Sequence, residues 1–180
     1  MIRSFSTEAI VLKRVNTGEQ DRVLTLLTPG QGKLACIAKG VRKLSSSQGA
    51  FLEPGNHVTV LLINTSSLPI LTQTKLLSDF THAKKDLKGI KKLMEVLEVI
   101  DQLFPEGAEE PELFEQMVGV IEMLNQPNCS YSHIQNELTD VLMKLGYQDF
   151  RDTAHNSILD QVAAVADRPM RSYDYLTVKS

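Results

Sequence analysis

Residues 21–39, DRVLTLLTPGQGKLACIAK, decide how this chain is read. Two runs of β-branched and aliphatic residues, 22–28 and 33–39, flank the sequence PGQG at 29–32, a pattern that predicts two strands joined by a hairpin turn. Side chains alternate across a strand, so Lys33, Ala35, Ile37 and Lys39 take one face of the second run and Leu34, Cys36 and Ala38 take the other. Working outward, similar runs predict strands near 7–15, 57–63 and 69–77, with connections at 16–21, 40–56 and 64–68. Five short strands within the first 80 residues suit a small closed barrel.

Beyond Phe80 the apolar period changes from two to three or four. Leu87, Ile90, Leu93, Met94, Leu97, Ile100, Leu103 and Phe104 predict a helix over 84–104, closed by Pro105 and Gly107. Pro111 opens a second helix that reaches about Asn125. A third starts near Ser132, with Gln135 completing a capping box, and stops at Gly146; a fourth covers about 154–166. Strands followed by helices make the fold class α+β, with 1–80 as a barrel and 81–180 as a helical bundle.

A chain of 180 residues, 42% hydrophobic and 23% charged, is long enough for one or two compact units at roughly 150 residues each. No apolar run approaches the roughly 20 residues of a bilayer span, and Glu8 interrupts any signal-like start, so the expectation is a soluble cytoplasmic protein without membrane contact. Cys36 and Cys129 stand far apart with no CxxC pair, which excludes a four-cysteine zinc site within the chain. His57, His82, His133 and His155 are scattered, and Cys129 with His133 offers two metal ligands at most. Gly30-Gln31-Gly32-Lys33 fails the phosphate-loop spacing, because position 27 is Leu and residue 34 is Leu where Ser or Thr is required. With no nucleophile elbow and no supported carboxylate pair, the chain is expected not to be an enzyme and to need no metal or cofactor.

The net charge of −3 hides a split. Up to Lys92 there are 14 Lys and Arg against 6 Asp and Glu; beyond it there are 5 against 16. A basic N-terminal part is the electrostatic footprint of a polyanion-binding surface. Oligonucleotide-binding (OB) barrels take their ligand on strands 2 and 3 and the flanking loops, where Arg22, Lys33, Lys39, Arg42 and Lys43 fall; Lys13 and Arg14 end the first strand on opposite faces. Residues 1–80 hold only Phe5, Phe51 and Phe80 among aromatics, so base stacking cannot dominate and contact with phosphates is left. Neutralising about four phosphates on a single strand would give a log–log salt slope near −3.

The run Glu8-Ala9-Ile10-Val11-Leu12, then Gly18-Glu19 and Asp21-Arg22-Val23-Leu24-Thr25-Leu26-Leu27-Thr28, then Gly32-Lys33-Leu34, Ala38-Lys39-Gly40-Val41-Arg42-Lys43 and Leu68-Pro69-Ile70-Leu71 resembles the RecO family of bacterial recombination mediators. Leu103-Phe104-Pro105-Glu106-Gly107, Pro111-Glu112-Leu113-Phe114 and Leu142-Met143-Lys144-Leu145-Gly146-Tyr147 are similar to segments that follow the barrel in that family. The resemblance implies an OB-fold barrel plus a helical domain. It also implies a protein that binds single- and double-stranded DNA, anneals complementary strands in gap and double-strand break repair, and acts with a RecR-type mediator. Through that mediator it would help RecA recombinase displace single-stranded DNA-binding protein, close to the nucleoid. It gives a DNA-contact role to Arg14, Arg22, Lys39, Arg42 and Lys43. Many relatives carry a four-cysteine zinc module in the C-terminal region that this chain lacks. Two other readings share the same basic barrel: an adaptor docking charged protein partners, and an RNA-binding OB-fold factor.

Overall fold

A computed structural model describes residues 4–85 and 87–171. Five strands, β1 Ser4–Thr17, β2 Asp21–Thr28, β3 Gly32–Ala38, β4 His57–Ile63 and β5 Ile70–Ser78, precede four helices, α1 Leu87–Leu103, α2 Pro111–Leu124, α3 Tyr131–Lys144 and α4 Ile158–Val165. The strands close in the order β1-β2-β3-β5-β4, antiparallel except for the parallel pair β3·β5, where Ile37 meets Ile70 and Ala38 meets Leu71. This is the OB-fold barrel of an α+β chain.

Alternation builds its interior. Ala9, Val11, Leu24, Leu26, Cys36, Ala38, Val58, Val60, Leu62 and Leu71 point inward and are buried, and Val41 and Leu52 from the β3–β4 connection join them. A barrel this narrow has room only for side chains, so its lumen is core and ligand must use its outside or its ends.

One irregularity redirects the basic residues. Val11 pairs with Leu26 but Lys13 pairs with Thr25, so Leu12 is the extra residue of a β-bulge. Before the bulge odd residues face inward; after it even ones do. Arg14 therefore lies across from the inward Leu24, while Lys13 and Val15 turn outward, opposite Thr25 and Val23.

Contact density divides the chain into two compact units: residues up to Phe80 together with Pro105–Glu115, and Thr81–Phe104 together with Gln116 onward. In the first, the segment after Pro105 packs on the outside of the barrel. Lys33 N–H donates to Pro105 O (3.1 Å), Gly107 N–H to Gln31 O (2.9 Å) and Glu110 N–H to Pro29 O (3.1 Å). Ile10 pairs with both Leu27 and His57 on that outer face, and the His57 ring meets Phe114 edge-on at 5.9 Å. In the second unit, Leu93, Val96, Leu97, Ile100, Val120, Ile121, Leu138, Val141, Leu142, Ile158 and Val162 are buried, the three-or-four spacing read from the sequence.

Helix starts differ by a few residues from the sequence-based ones, and at α4 a side-chain cap decides the difference. Residues 83–85 form a single 3₁₀ turn before α1. α3 begins one residue before Ser132, with Ser130 in the cap position and no side-chain cap hydrogen bond, so the capping box expected of Ser132 and Gln135 does not form. α4 begins four residues later than expected, because the Ser157 side chain accepts the Asp160 N–H at 3.1 Å and fixes the first turn there. At the other end of α3, Gly146 takes φ +90°, Tyr147 N–H reaches Leu142 O and Gly146 N–H reaches Met143 O, a Schellman stop of the kind its glycine predicted.

Candidate nucleic-acid interface

The basic residues gather where two loops cross. The β1–β2 turn at 18–20 and the start of the β3–β4 connection are laced together: Arg42 N–H donates to Gln20 O (3.0 Å), the Arg42 guanidinium donates to Gly18 O (3.4 Å), and Gly40 N–H donates to Asp21 Oδ1 (2.7 Å). Gly40 makes the turn possible with φ +64°, a conformation that costs a residue with a Cβ about 1–2 kcal/mol. Lys39, Arg42 and Lys43 are exposed on this crossing. Among the described residues no ion pair to a carboxylate holds any of the three.

Arg14 and Arg22 sit at the same end but are engaged differently. The bulge carries Arg14 to the barrel mouth, where Nη1 lies 2.6 Å from Glu53 Oε1. Arg22, across the sheet from Asn16 and Ala38, donates to Gly49 O (3.1 Å) and Asn16 Oδ1 (3.3 Å), and its Nη1 is 3.6 Å from Glu53 Oε1. Burial, then the neighbouring charge of Arg14, pulls the Arg22 guanidinium below its ordinary value; Glu53 opposes this and Arg42 adds to it. Three arginines therefore share one electrostatic neighbourhood with one glutamate between two of them. Arg22 also acts as a strut, tying β2 to the 3₁₀ turn Gln48–Ala50 of the connection.

The other two predicted residues lie elsewhere on the barrel. Lys13 projects from the outer face opposite Thr25, adjacent to the cluster along β1. Lys33 is at the far end of β3, half-buried and paired with Leu27, and its backbone forms an isolated β-bridge with that of Glu106. Six residues of strand separate it from Lys39, or about 20 Å at 3.3 Å per residue. The structure thus assembles Arg14, Arg22, Lys39, Arg42 and Lys43 and leaves Lys33 at the opposite end of β3, against the backbone of Pro105 and Glu106. Lys39, expected on the same strand face as Lys33, stands beyond the last residue of β3 because the chain turns at Gly40.

Sequence reasoning missed Glu53 and Asp21, which position the basic loops. Asp21, read from sequence as the end of the 16–21 connection, opens β2; Glu53 lies in the stretch Glu53-Pro54-Gly55, with nothing to announce its partners. The five lysines between 84 and 92 also belong to the second unit, where Lys91 lies 3.9 Å from Glu95 and Lys92 donates to Cys129 O at 3.0 Å. Among the described residues there is no group of three or more His, Cys, Asp or Glu able to hold a metal ion, and no helix long and apolar enough to cross a membrane.

Residues 1–80 match the family model described as Recombination protein O N terminal. DNA repair protein RecO of Roseiflexus sp. (strain RS-1) is 35% identical over 123 residues, covering 68% of this chain and 43% of that protein. DNA repair protein RecO of Geobacter sulfurreducens is 33% identical over 141 residues, 78% of this chain and 58% of the relative, and that of Syntrophomonas wolfei is 26% identical over 146 residues, 81% and 58%. The chain spans about half the length of the curated relatives it matches.

Proposed function

The chain belongs to the RecO family, and from that premise we propose that it is a non-enzymatic DNA-binding repair protein that grips phosphates at the loop crossing of its barrel and anneals complementary strands. The observation that carries this reading is the convergence of Arg14, Arg22, Lys39, Arg42 and Lys43 at one end of an OB barrel, on and beside the loop after β1 that such barrels use for oligonucleotides. The cluster offers charge without aromatic platforms. Phe5 and Phe51 pack against the barrel core and Phe80 is buried, so the contact is to backbone and is tolerant of sequence. Annealing asks for little more: two polyanions must be brought together with their base edges left free, and neutralised phosphates satisfy that.

In this reading the partners are single- and double-stranded DNA, a RecR-type mediator, single-stranded DNA-binding protein and, indirectly, RecA recombinase in the cytoplasm. Three cations with no carboxylate ion pair among the described residues, Lys39, Arg42 and Lys43, predict a log–log salt slope of about −2 on single strands, rising toward −3 if Lys13 joins them. Fluorescence anisotropy with labelled oligonucleotides at several salt concentrations tests this. Lys39→Glu with Arg42→Glu should weaken binding to unrelated sequences alike and slow annealing of two complementary strands. No binding by the parent chain at low ionic strength would overturn the proposal, and tighter binding to matched RNA than to DNA would favour the RNA-binding alternative.

A further inference from the structure

At the crest of the basic turn stands a leucine with nothing around it. The relative exposure of Leu44 is 108%, the highest of the exposed large apolar side chains among the described residues. A single exposed leucine is ordinary on a protein surface. This one differs in how it is held. The turn beneath it is fixed by Arg42 N–H to Gln20 O (3.0 Å), Lys43 N–H to Gly40 O (3.1 Å) and Ser46 N–H to Lys43 O (2.9 Å). Leu44 is therefore presented by a hydrogen-bonded turn anchored on the neighbouring hairpin. It directly follows Arg42 and Lys43 and directly precedes Ser45, Ser46 and Ser47.

Resting on the reading above, we infer that Leu44 is an apolar wedge that inserts against the bases of a strand whose phosphates are held by Arg42 and Lys43. Consecutive Cα atoms lie about 3.8 Å apart across a trans peptide, so a phosphate gripped by Lys43 brings the attached nucleotide within reach of the next side chain. No phenylalanine ring of residues 4–80 is available for that task, since Phe5, Phe51 and Phe80 serve the interior, and the His57 ring is packed against Phe114. Aliphatic side chains perform it in DNA-bending architectural proteins by parting adjacent bases. Leucine parts bases without reading them. It makes no hydrogen bond, so the Watson–Crick edges of a loosened stack stay free for a second strand.

The test uses the full chain and a single-stranded oligonucleotide carrying 2-aminopurine, whose fluorescence rises when it is unstacked, read with anisotropy at several salt concentrations. With the parent chain, bound oligonucleotide should fluoresce about twofold more strongly than free, the expected result of partial unstacking. Leu44→Ser should abolish that rise and weaken binding by about threefold at every salt concentration, leaving the log–log slope unchanged because no charge is lost. Lys43→Gln should do the converse, making the slope shallower by about 0.7 while the rise at saturation persists. Leu44→Met should keep the rise. Binding by the parent chain without any rise, or a rise that survives Leu44→Ser, overturns the wedge while leaving the DNA-binding reading intact. Absence of binding by the parent chain overturns both. Leu44 touches no core residue, so circular dichroism of Leu44→Ser should match the parent.

Discussion

Removing a negative charge from the basic end should tighten binding to DNA, and Glu53→Gln is the substitution that does so with least disturbance. Glu53 Oε1 lies 2.6 Å from Arg14 Nη1 and 3.6 Å from Arg22 Nη1. Glutamine keeps an acceptor oxygen and the side-chain shape, and both Arg14 and Glu53 side chains are about one-third exposed (34% and 32%), so the lost ion pair should cost folding stability no more than about 1 kcal/mol. The effect on binding is larger in relative terms. For a phosphate held at the crossing about 8 Å from the Glu53 carboxylate, at an effective dielectric of about 40, the repulsion is about 1 kcal/mol. With a Debye length of about 10 Å at 0.1 M salt it falls to about 0.5 kcal/mol, and at 0.01 M, where that length is about 30 Å, it stays near 0.8 kcal/mol. The substitution should therefore strengthen binding about twofold at 0.1 M and about fourfold at 0.01 M. If the released Arg14 also takes a phosphate, the single-strand salt slope steepens by about 0.7. Anisotropy titrations at the two salt concentrations measure both quantities. Weaker binding by Glu53→Gln, or a gain that does not change with salt, would show that phosphates do not approach this end of the barrel.

Three further outcomes follow from the packing. Gly32 has φ +55° and a Cβ there would meet Pro105 O at 2.5 Å and Ala108 O at 2.9 Å, whereas Gly18 has the same φ and open space. In urea denaturation Gly18→Ala should cost about 1 kcal/mol and Gly32→Ala about 3 kcal/mol or more, and equal losses would contradict the docking of 105–108 on the β2–β3 turn. Burial raises the pKa of the Glu95 carboxyl, with Lys91 opposing and Glu98 reinforcing. A folded pKa above the unfolded one means stability present at low pH and lost as pH rises through the folded value, so Glu95→Gln should melt higher than the parent at pH 7 and converge with it below about pH 4. The Cys36 thiol is buried and pushed up to about 12, while Cys129 is half-buried. A thiol-reactive disulfide reagent at pH 8 should label one cysteine in the native protein and both in denaturant; rapid labelling of Cys36 would mean that the barrel opens.

The barrel was legible where one face of a strand is core and the other is not. His57–Ile63 alternates in burial along its whole length and was bounded correctly from sequence; β2 and β3 shifted by a single residue because PGQG left no other turn. Ala9–Leu12 resisted such reading. These four residues are all buried, two facing the lumen, Ile10 lying on the outer face with Leu27 and His57, and Leu12 in the bulge. A strand covered on both sides carries no alternation, so nothing local marks where its parity changes. That change decides which of Lys13 and Arg14 points to the barrel mouth. The β1–β2 and β3–β4 loops are likewise joined by backbone groups, Arg42 N–H and Gln20 O among them, that every sequence possesses.

Charge was misread for the same reason: it was summed along the chain, whereas fields add in space. The lysines between 84 and 92 lie in the second unit, and Glu106, Glu109, Glu110, Glu112 and Glu115 lie in the first. Among the described residues the barrel unit carries eight Lys and Arg against ten Asp and Glu, and the helical unit nine against ten. Neither is a basic body. What the barrel has is polarity, cations at the loop crossing and, about 20 Å away along β3, the glutamate-bearing segment that docks its backbone on the β2–β3 turn. At physiological ionic strength the Debye length is about 8 Å, so a strand at the crossing feels the arginines and lysines there and almost nothing of the far glutamates. An overall pI of 5.8 is then compatible with a polyanion ligand. On the proposed reading the acidic segment adds a constraint of its own: it disfavours a nucleic-acid strand running the length of the barrel.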